Sequence, residues 1–474
     1  MTRMKRIRQA GFACAIPIFA LLVPQTASAT VNPSAAATIA PNPPGSATPA
    51  AVAAPGTRFV SYNGVRVTVP ASWPVIDLNL HPSACVRLDQ TALYLGSPGS
   101  QSHCPAHAVG RGDTVWLTTE ATAQETPLTS GVTSVGALPA RVGLDATGHD
   151  KQIQFVGKPV ALQATWGADS SSVDQVVASA VSSPGASTPA PGVSVPAPQP
   201  PSPAAVPQTM KAAVTFTGLG FDTCSAPSIS TMRAWLKSPY RSVGVYIGGS
   251  MRACGDGNLS ASWVAQVHAM GWHLIPIYVG PQAPSVNQSG LAHFSLATAS
   301  NQANLDAKDA VARAKYFGLG PNIGTPIYYD MENYNPSTSS SRSVVTFLSA
   351  FTSELHSLGY RSGVYGGPGS AMTDMSRAVS PRAIDPPDNV WFAHWNGVRS
   401  TLDQASYPGF PDVFWRFHQR LHQYSGNLYQ SYGGAGVSID ANWIDGGTGC
   451  PHGPAAQRPL PVPADQDWDR LWSR

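Results

Sequence analysis

The chain has 474 residues, with 29 Lys and Arg against 26 Asp and Glu, a formal charge of +3. Charged residues make up only 12%, and Gly and Pro number 44 each, which suits an extracellular protein with linkers and room for two domains. So near-neutral a chain gives no ground for nucleic acid or an anionic membrane as partner.

Residues 1–29 read as a signal peptide. Arg3, Lys5, Arg6 and Arg8 precede an apolar run from Gly11 to Val23, and Ala27-Ser28-Ala29 supplies the small-residue cleavage pattern. The run is too short for a permanent anchor, so no membrane attachment is expected after cleavage. Removal of this segment leaves 25 basic against 26 acidic residues, a charge of about −1. The expectation is a secreted protein, extracellular or associated with the cell wall, and monomeric.

Residues 30–55 are rich in Ala, Pro, Ser and Thr without a hydrophobic period, a disordered spacer. Residues 56–181 read as a small β-rich domain. Its strand-like runs Arg58–Val60, Val65–Val69 and Ala92–Leu95 are punctuated by turn residues, Asp174–Val181 closes it as a helix, and Trp73 belongs to its core. Proline density makes residues 182–210 a semi-rigid linker. Residues 211–450 form the second domain, and 451–474 are a Pro-rich tail ending in Trp468 and Trp472.

Five cysteines lie beyond the leader. In an oxidising compartment, pairing within domains gives Cys85–Cys104 and Cys224–Cys254, with Cys450 left over. No Cys-x-x-Cys or His-rich cluster suggests a metal, and neither metal nor cofactor is expected.

In the second domain eight strand-like runs alternate with helical ones. The strands are Ala213–Asp222, Ser242–Gly248, His273–Val279, Pro326–Glu332, Arg361–Tyr365, Val390–Trp395, Leu421–Tyr424 and Val437–Trp443. The helices are Ser228–Lys237, Ser260–Met270, Ala297–Phe317 and Ser341–Leu358, two of them stopped by Gly271 and Gly359. This order implies an α/β fold, a parallel (β/α)8 barrel of the TIM type whose helical ring is incomplete near its end. An open doubly wound sheet is the competing arrangement.

Active sites of such barrels lie at the C-terminal strand ends. Asp222 ends the first strand, Asp330 and Glu332 end the fourth, and Asp440 lies in the eighth. Asp330 and Glu332 are two apart on a strand, so they share a face. Carboxylates that converge in a barrel mouth raise one another's pKa, as glycoside hydrolysis requires. Glu332 is expected as proton donor and Asp330 as the ionised stabiliser, tuned by Asp222 and Asp440. The plainer alternatives are structural salt bridges or a metal site. Tyr246, Tyr278, Tyr365, Trp395 and Tyr424, near strand ends, are candidate sugar platforms; Gln282 and Gln423 are candidate hydroxyl partners. His394 and Trp395 alternate in direction, and Trp395 is expected to face the lumen.

The runs GLGFDTCSAPS (218–228), VGVYIGG (243–249), GWHLIPIYVG (271–280), PIYYDMENY (326–334), VWFAHWNG (390–397) and LHQYSG (421–426) occur in that order. Together they resemble a bacterial glycoside-hydrolase-like domain family first described as a domain of unknown function. Its barrel is similar to that of the family-25 glycoside hydrolases, lysozyme-type muramidases. The resemblance implies an acidic residue after strand one, an Asp-x-Glu after strand four and an Asp on the last strand. Asp222, Asp330, Glu332 and Asp440 match these positions, with the Glu as donor. The implied function is hydrolysis of a cell-wall or extracellular glycan such as peptidoglycan. The alternatives are a non-catalytic glycan-binding module using the same cleft, or a purely structural envelope protein.

Overall fold

A computed structural model describes residues 53–119, 128–183, 214–288, 290–321, 324–379 and 384–449. The expected leader, nearly all of the spacer and linker, and the tail with Cys450, Trp468 and Trp472 lie outside the described residues. The described residues all belong to one compact unit, which begins at Ala53.

Among the described residues, ten short strands and one helix precede the barrel. β1 (Thr57–Tyr62) and β2 (Val65–Pro70) form a hairpin across Asn63-Gly64, both at positive φ, as a two-residue turn demands. β3 (Val75–Asp77), β4 (Ala92–Leu95), β5 (Thr114–Thr118), β6 (Thr133–Val135), β7 (Leu138–Asp145), β8 (Asp150–Phe155) and β9 (Ala161–Thr165) build a second sheet, ordered β3-β4-β5-β9-β8-β7-β6. α1 (Ser171–Ala178) comes next, and β10 (Val181–Ser182) pairs with β2. Alternation puts Val65, Val67 and Val69 of β2 on one buried face, where Trp73 and Val173 join the core.

The barrel starts with β11 (Val214–Thr223), α2 (Ile229–Ala234), β12 (Ser242–Gly248), α3 (Ala261–Ala269) and β13 (His273–Tyr278). It continues through α4 (Ala299–Tyr316), β14 (Pro326–Asp330), α5 (Thr338–Ser357), β15 (Arg361–Gly366), α6 (Thr373–Val379), β16 (Asn389–Ala393), β17 (Arg420–Tyr432) and β18 (Ala435–Thr448). The side chains of Ser228, Ser260 and Ser337 cap α2, α3 and α5 by accepting a backbone N–H. The strands close in chain order from β11 to β18.

One expectation needs correction. β11 to β17 run parallel, but β18 is antiparallel to both β17 and β11. The barrel is therefore not an all-parallel (β/α)8 barrel. β17 turns straight into β18 through Gly433-Gly434, both at positive φ. Two residues suffice for a hairpin, whereas a parallel partner needs a crossover of about a dozen residues. Among the described residues only α2 to α6 flank the barrel, and none lies between β16 and β17.

The lumen is packed. Ile275, Ile277, Tyr328, Trp391, Leu421 and Ile444 fill it, and Trp391 meets Tyr328 and Tyr365 edge-on with centroids 5.9 and 5.1 Å away. Gly363 matters here: a Cβ would sit 2.3 Å from the Tyr328 ring. Outside the sheet, Asp306 of α4 is fully buried, accepting from Gln302 (2.9 Å) and Tyr329 (3.1 Å). Burial pushes its carboxyl up to about 8. A carboxyl raised above its unfolded value contributes stability at low pH that is lost as pH rises through about 8. Asp306→Asn is expected to flatten this decline, on the order of 1 kcal/mol per pH unit, in denaturant titrations between pH 5 and 9.

The N-terminal sheets sit on the barrel mouth. Val109 forms an antiparallel bridge with Arg252, Gly110 N donates to Met251 O and Leu88 N to Ala253 O, both at 2.7 Å. Ser438 N of β18 donates to Ser102 O at 2.7 Å. Asp145 at the end of β7 pairs with Arg313 of α4. Two disulfides brace this region, as the sequence suggests: Cys85–Cys104 and Cys224–Cys254, with Cα separations of 5.6 and 5.7 Å.

Candidate active site

Four carboxylates converge at the barrel mouth. Asp222 and Asp440 are register partners on β11 and β18. Asp222 accepts from Asn442 Nδ2 at 2.6 Å and from Gln423 Nε2 at 3.2 Å, and Asp440 accepts from Asn427 N at 2.6 Å. Asp330 closes β14, and its Oδ2 accepts from the Tyr246 hydroxyl at 3.1 Å. Its Oδ1 is buried with no hydrogen-bond partner among the described residues. Strand alternation sends Met331 into the outer core and brings Glu332 back to the mouth.

A fifth group comes from the N-terminal region. His107, three residues beyond Cys104, reaches over the strand ends and places Nε2 2.6 Å from Glu332 Oε1 and 4.0 Å from Asp330 Oδ2. Its Nδ1 lies 2.6 Å from the Tyr246 hydroxyl. That hydroxyl also faces Asp330 Oδ2 at 3.1 Å. A doubly protonated ring donates from Nδ1 to the hydroxyl and from Nε2 to Glu332, and the raised pKa of His107 favours this imidazolium form.

This cation redistributes charge. Burial alone would lower the His107 pKa, but the nearby Glu332 and Asp330 charges hold it well above its ordinary value. Burial would likewise raise Glu332, yet the His107 charge and hydrogen bond keep it below the usual range. Asp330 is pushed up to about 7 by burial, against the pull of His107. Burial raises Asp222 to about 8, with Asp440 adding to it, and burial also raises Asp440. In this arrangement the resting charge favours an ionised Glu332 and a protonated Asp330. The reason is His107, which strand alternation within the barrel does not show.

A cavity of about 670 Å³ opens beside the cluster, lined by Glu332, Asn333, Tyr365, Gly367, Trp395, Tyr407 and Gln423. Of the four carboxylates only Glu332 lines it; Asp222, Asp330 and Asp440 are buried beneath. Trp395 is 55% exposed and donates from Nε1 to Gln423 Oε1 at 2.9 Å. Its ring lies on Gly426, where a Cβ would come within 2.0 Å of it. Tyr365 donates to the same Gln423 oxygen at 3.0 Å. His394 instead pairs with Asp403 at 3.0 Å, outside the cavity.

Four other candidates lie outside the cavity lining. Tyr278 points away from the lumen, because Ile277 takes the inward position, and donates to Asp309 of α4 at 2.8 Å. Tyr424 alternates with the inward Gln423 and packs in the outer core, under the Arg399 guanidinium at 5.8 Å. Gln282 is fully buried and clamps the backbone of β14's end, donating to Asp330 O (2.9 Å) and accepting from Glu332 N (2.8 Å). Tyr246 is buried between Asp330 and His107 and presents no platform.

Sequence reading missed His107, Asn442, Asn427 and Tyr407. Asn442 was accessible, being two residues after Asp440 on the same face. His107 stands in an irregular segment, and only the folded contact reveals its partner. The donor atoms of His107, Asp330 and Glu332, and those of His107, Asp222 and Asp440, lie within 4.8 Å of one another. A cation could bridge that spacing, and the two imidazole nitrogens lie within hydrogen-bond distance of Glu332 and Tyr246.

No curated protein compared matches the chain. Among solved structures, an uncharacterised B. stearothermophilus protein shares 16% identity over 48% of this chain and 95% of that one, with a TM-score of 0.35. The modular autolysin LytC from Streptococcus pneumoniae shares 14% over 48% of this chain and 46% of its own, at 0.30. The Clostridium perfringens spore cortex lytic enzyme SleM shares 15% over 44% of this chain and 62% of its own, at 0.29. Scores this low add nothing to the reading of the site. The sequence itself is more informative: residues 233–444, under half of the chain, match a family model from α2 to β18. That stretch holds Asp330, Glu332 and Asp440, and the model it matches is that of an Rv2525c-like, glycoside hydrolase-like domain.

Proposed function

We propose that the barrel mouth hydrolyses a glycan, with Glu332 as the proton donor to the leaving oxygen. One observation carries this reading: Glu332 is the carboxylate that lines an aromatic-walled cavity, with Asp330 directly behind it. Once ionised, Asp330 supports the oxocarbenium-like centre from below, and Asp222 and Asp440 tune the cluster around it. Tyr365 and Trp395 line the cavity with ring surface, and Gln423 holds both rings through its Oε1. The matched glycoside hydrolase-like domain supports a glycan as ligand.

The basic and apolar N-terminal segment and the two disulfides support secretion to the extracellular space or cell wall, where peptidoglycan is the foremost substrate class. Among the described residues no helix is long and apolar enough to cross a membrane.

The test is a screen of the full chain against peptidoglycan and other polysaccharides for release of reducing ends. Release supports hydrolysis. Saturable binding without product favours the second reading, a glycan-binding module, which the exposed Trp395 favours. Trp395→Ala is expected to weaken glycan binding about tenfold in either case, measured by co-sedimentation or titration calorimetry.

A further inference from the structure

We propose that the N-terminal region completes the active site, with His107 as the positioning residue that orients Glu332 and supplies the proton it donates. The inference rests on the hydrolase reading and deepens it.

The geometry is specific. His107 Nε2 faces Glu332 Oε1 at 2.6 Å, and Nδ1 faces the Tyr246 hydroxyl at 2.6 Å. Two hydrogen bonds at opposite corners of a planar ring fix its orientation. They fix Glu332 with it, whose backbone N–H is already held by Gln282 at 2.8 Å. His107 is also held from its own side. Val109 and Gly110 form backbone hydrogen bonds and a bridge with the loop after β12, and Gln288 donates to Val109 O at 2.9 Å. Val109 packs with Tyr246 and Met251 in the lumen's cluster. Contact this continuous makes the histidine a fixed part of the mouth, not a removable cover.

The groups that face the ring are Glu332 and Asp330 from β14's end, Tyr246 of β12, Tyr365 of β15, and Asp440 of β18 at longer range. Asp222 of β11 also feels its charge. Among these the closest acceptor is Glu332. In the proposed step the Nε2–H bond of the imidazolium breaks and the proton joins Glu332 Oε1. Glu332 then passes that proton to the glycosidic oxygen as the bond from the anomeric carbon breaks. When water attacks, its proton returns to Glu332 and then to Nε2. No proton or electron is left over.

The experiment uses the full chain with 15N-labelled histidines, the His107 ring signals being identified by their loss in His107→Gln. The expected result is a ring that titrates above the ordinary histidine value, and whose pKa drops by about one unit or more in Glu332→Gln. In His107→Gln, kcat should fall about 10²-fold with little change in KM, and the alkaline limb of the pH profile should shift. A ring that titrates ordinarily and ignores Glu332→Gln overturns the proposal, as does a His107→Gln variant with wild-type kcat and pH profile. If the wild type cleaves no glycan while the two groups still titrate as one, the hydrolase reading fails and the positioning of Glu332 stands.

Discussion

Turnover of a glycan by this chain is expected to fall by about 10²–10⁴-fold in Glu332→Gln, with binding changed far less. The amide keeps the shape of the cavity wall but cannot pass a proton to a leaving oxygen. Asp330→Asn is expected to behave similarly in kcat, although Asp330 is fully buried and outside the cavity lining. The dependence on pH comes from the same groups. Asp330 is raised to about 7 by burial, and His107 is held well above its ordinary value. The proposed roles need Asp330 ionised and His107 protonated, so activity should rise as pH passes about 7 and decline at higher pH as His107 loses its proton. A rate profile that only falls from acid pH through about 7 contradicts the role of Asp330.

The second large effect concerns stability. Arg313 lies between Asp145 at the end of β7 and Asp309 one turn earlier on α4, with side-chain exposures of 7%, 12% and 12%. Its stem also covers Gly248, where a Cβ would come within 2.9 Å of Cγ. Arg313→Met keeps the length of the chain and removes the charge. Asp145 and Asp309 then face one another without a cation between them. Losing one partner of a buried ion pair costs about 3–5 kcal/mol, to be read by urea denaturation. Asp309 is raised to about 7, by burial first and then by Asp145. Protonation relieves the repulsion, so the loss should be larger at pH 8 than at pH 5. Asp145→Asn should cost less, because Arg313 retains Asp309.

Much of the barrel was legible because its signals are local. The run Ser242–Gly248 is a strand with the expected bounds, and the serines before α2 and α3 stand at the expected helix starts, whereas α5 begins at Thr338, ahead of the expected Ser341. Strand direction is not local. The Gly433-Gly434 pair is a hairpin signal in plain sight, yet apolar alternation reads the same for a parallel and an antiparallel strand. The carboxylates were legible from period-two spacing and strand ends. The failures at Tyr278 and Tyr424 have the same origin: each is one residue from an inward position, Ile277 and Gln423, and a shift of one reverses the face. His107 was out of reach for a different reason. Its partner Glu332 is 225 residues away and belongs to the other fold element, so their meeting exists only in tertiary structure.

The most direct measurement is mass spectrometry of the soluble products from purified sacculi incubated with the wild type or with the Asp330→Asn, Glu332→Gln double variant. A glycan-cleaving barrel mouth predicts new reducing-end sugars with the wild type and none with the double variant. Sacculi that bind the wild type yet remain intact, or identical products from both proteins, would contradict it.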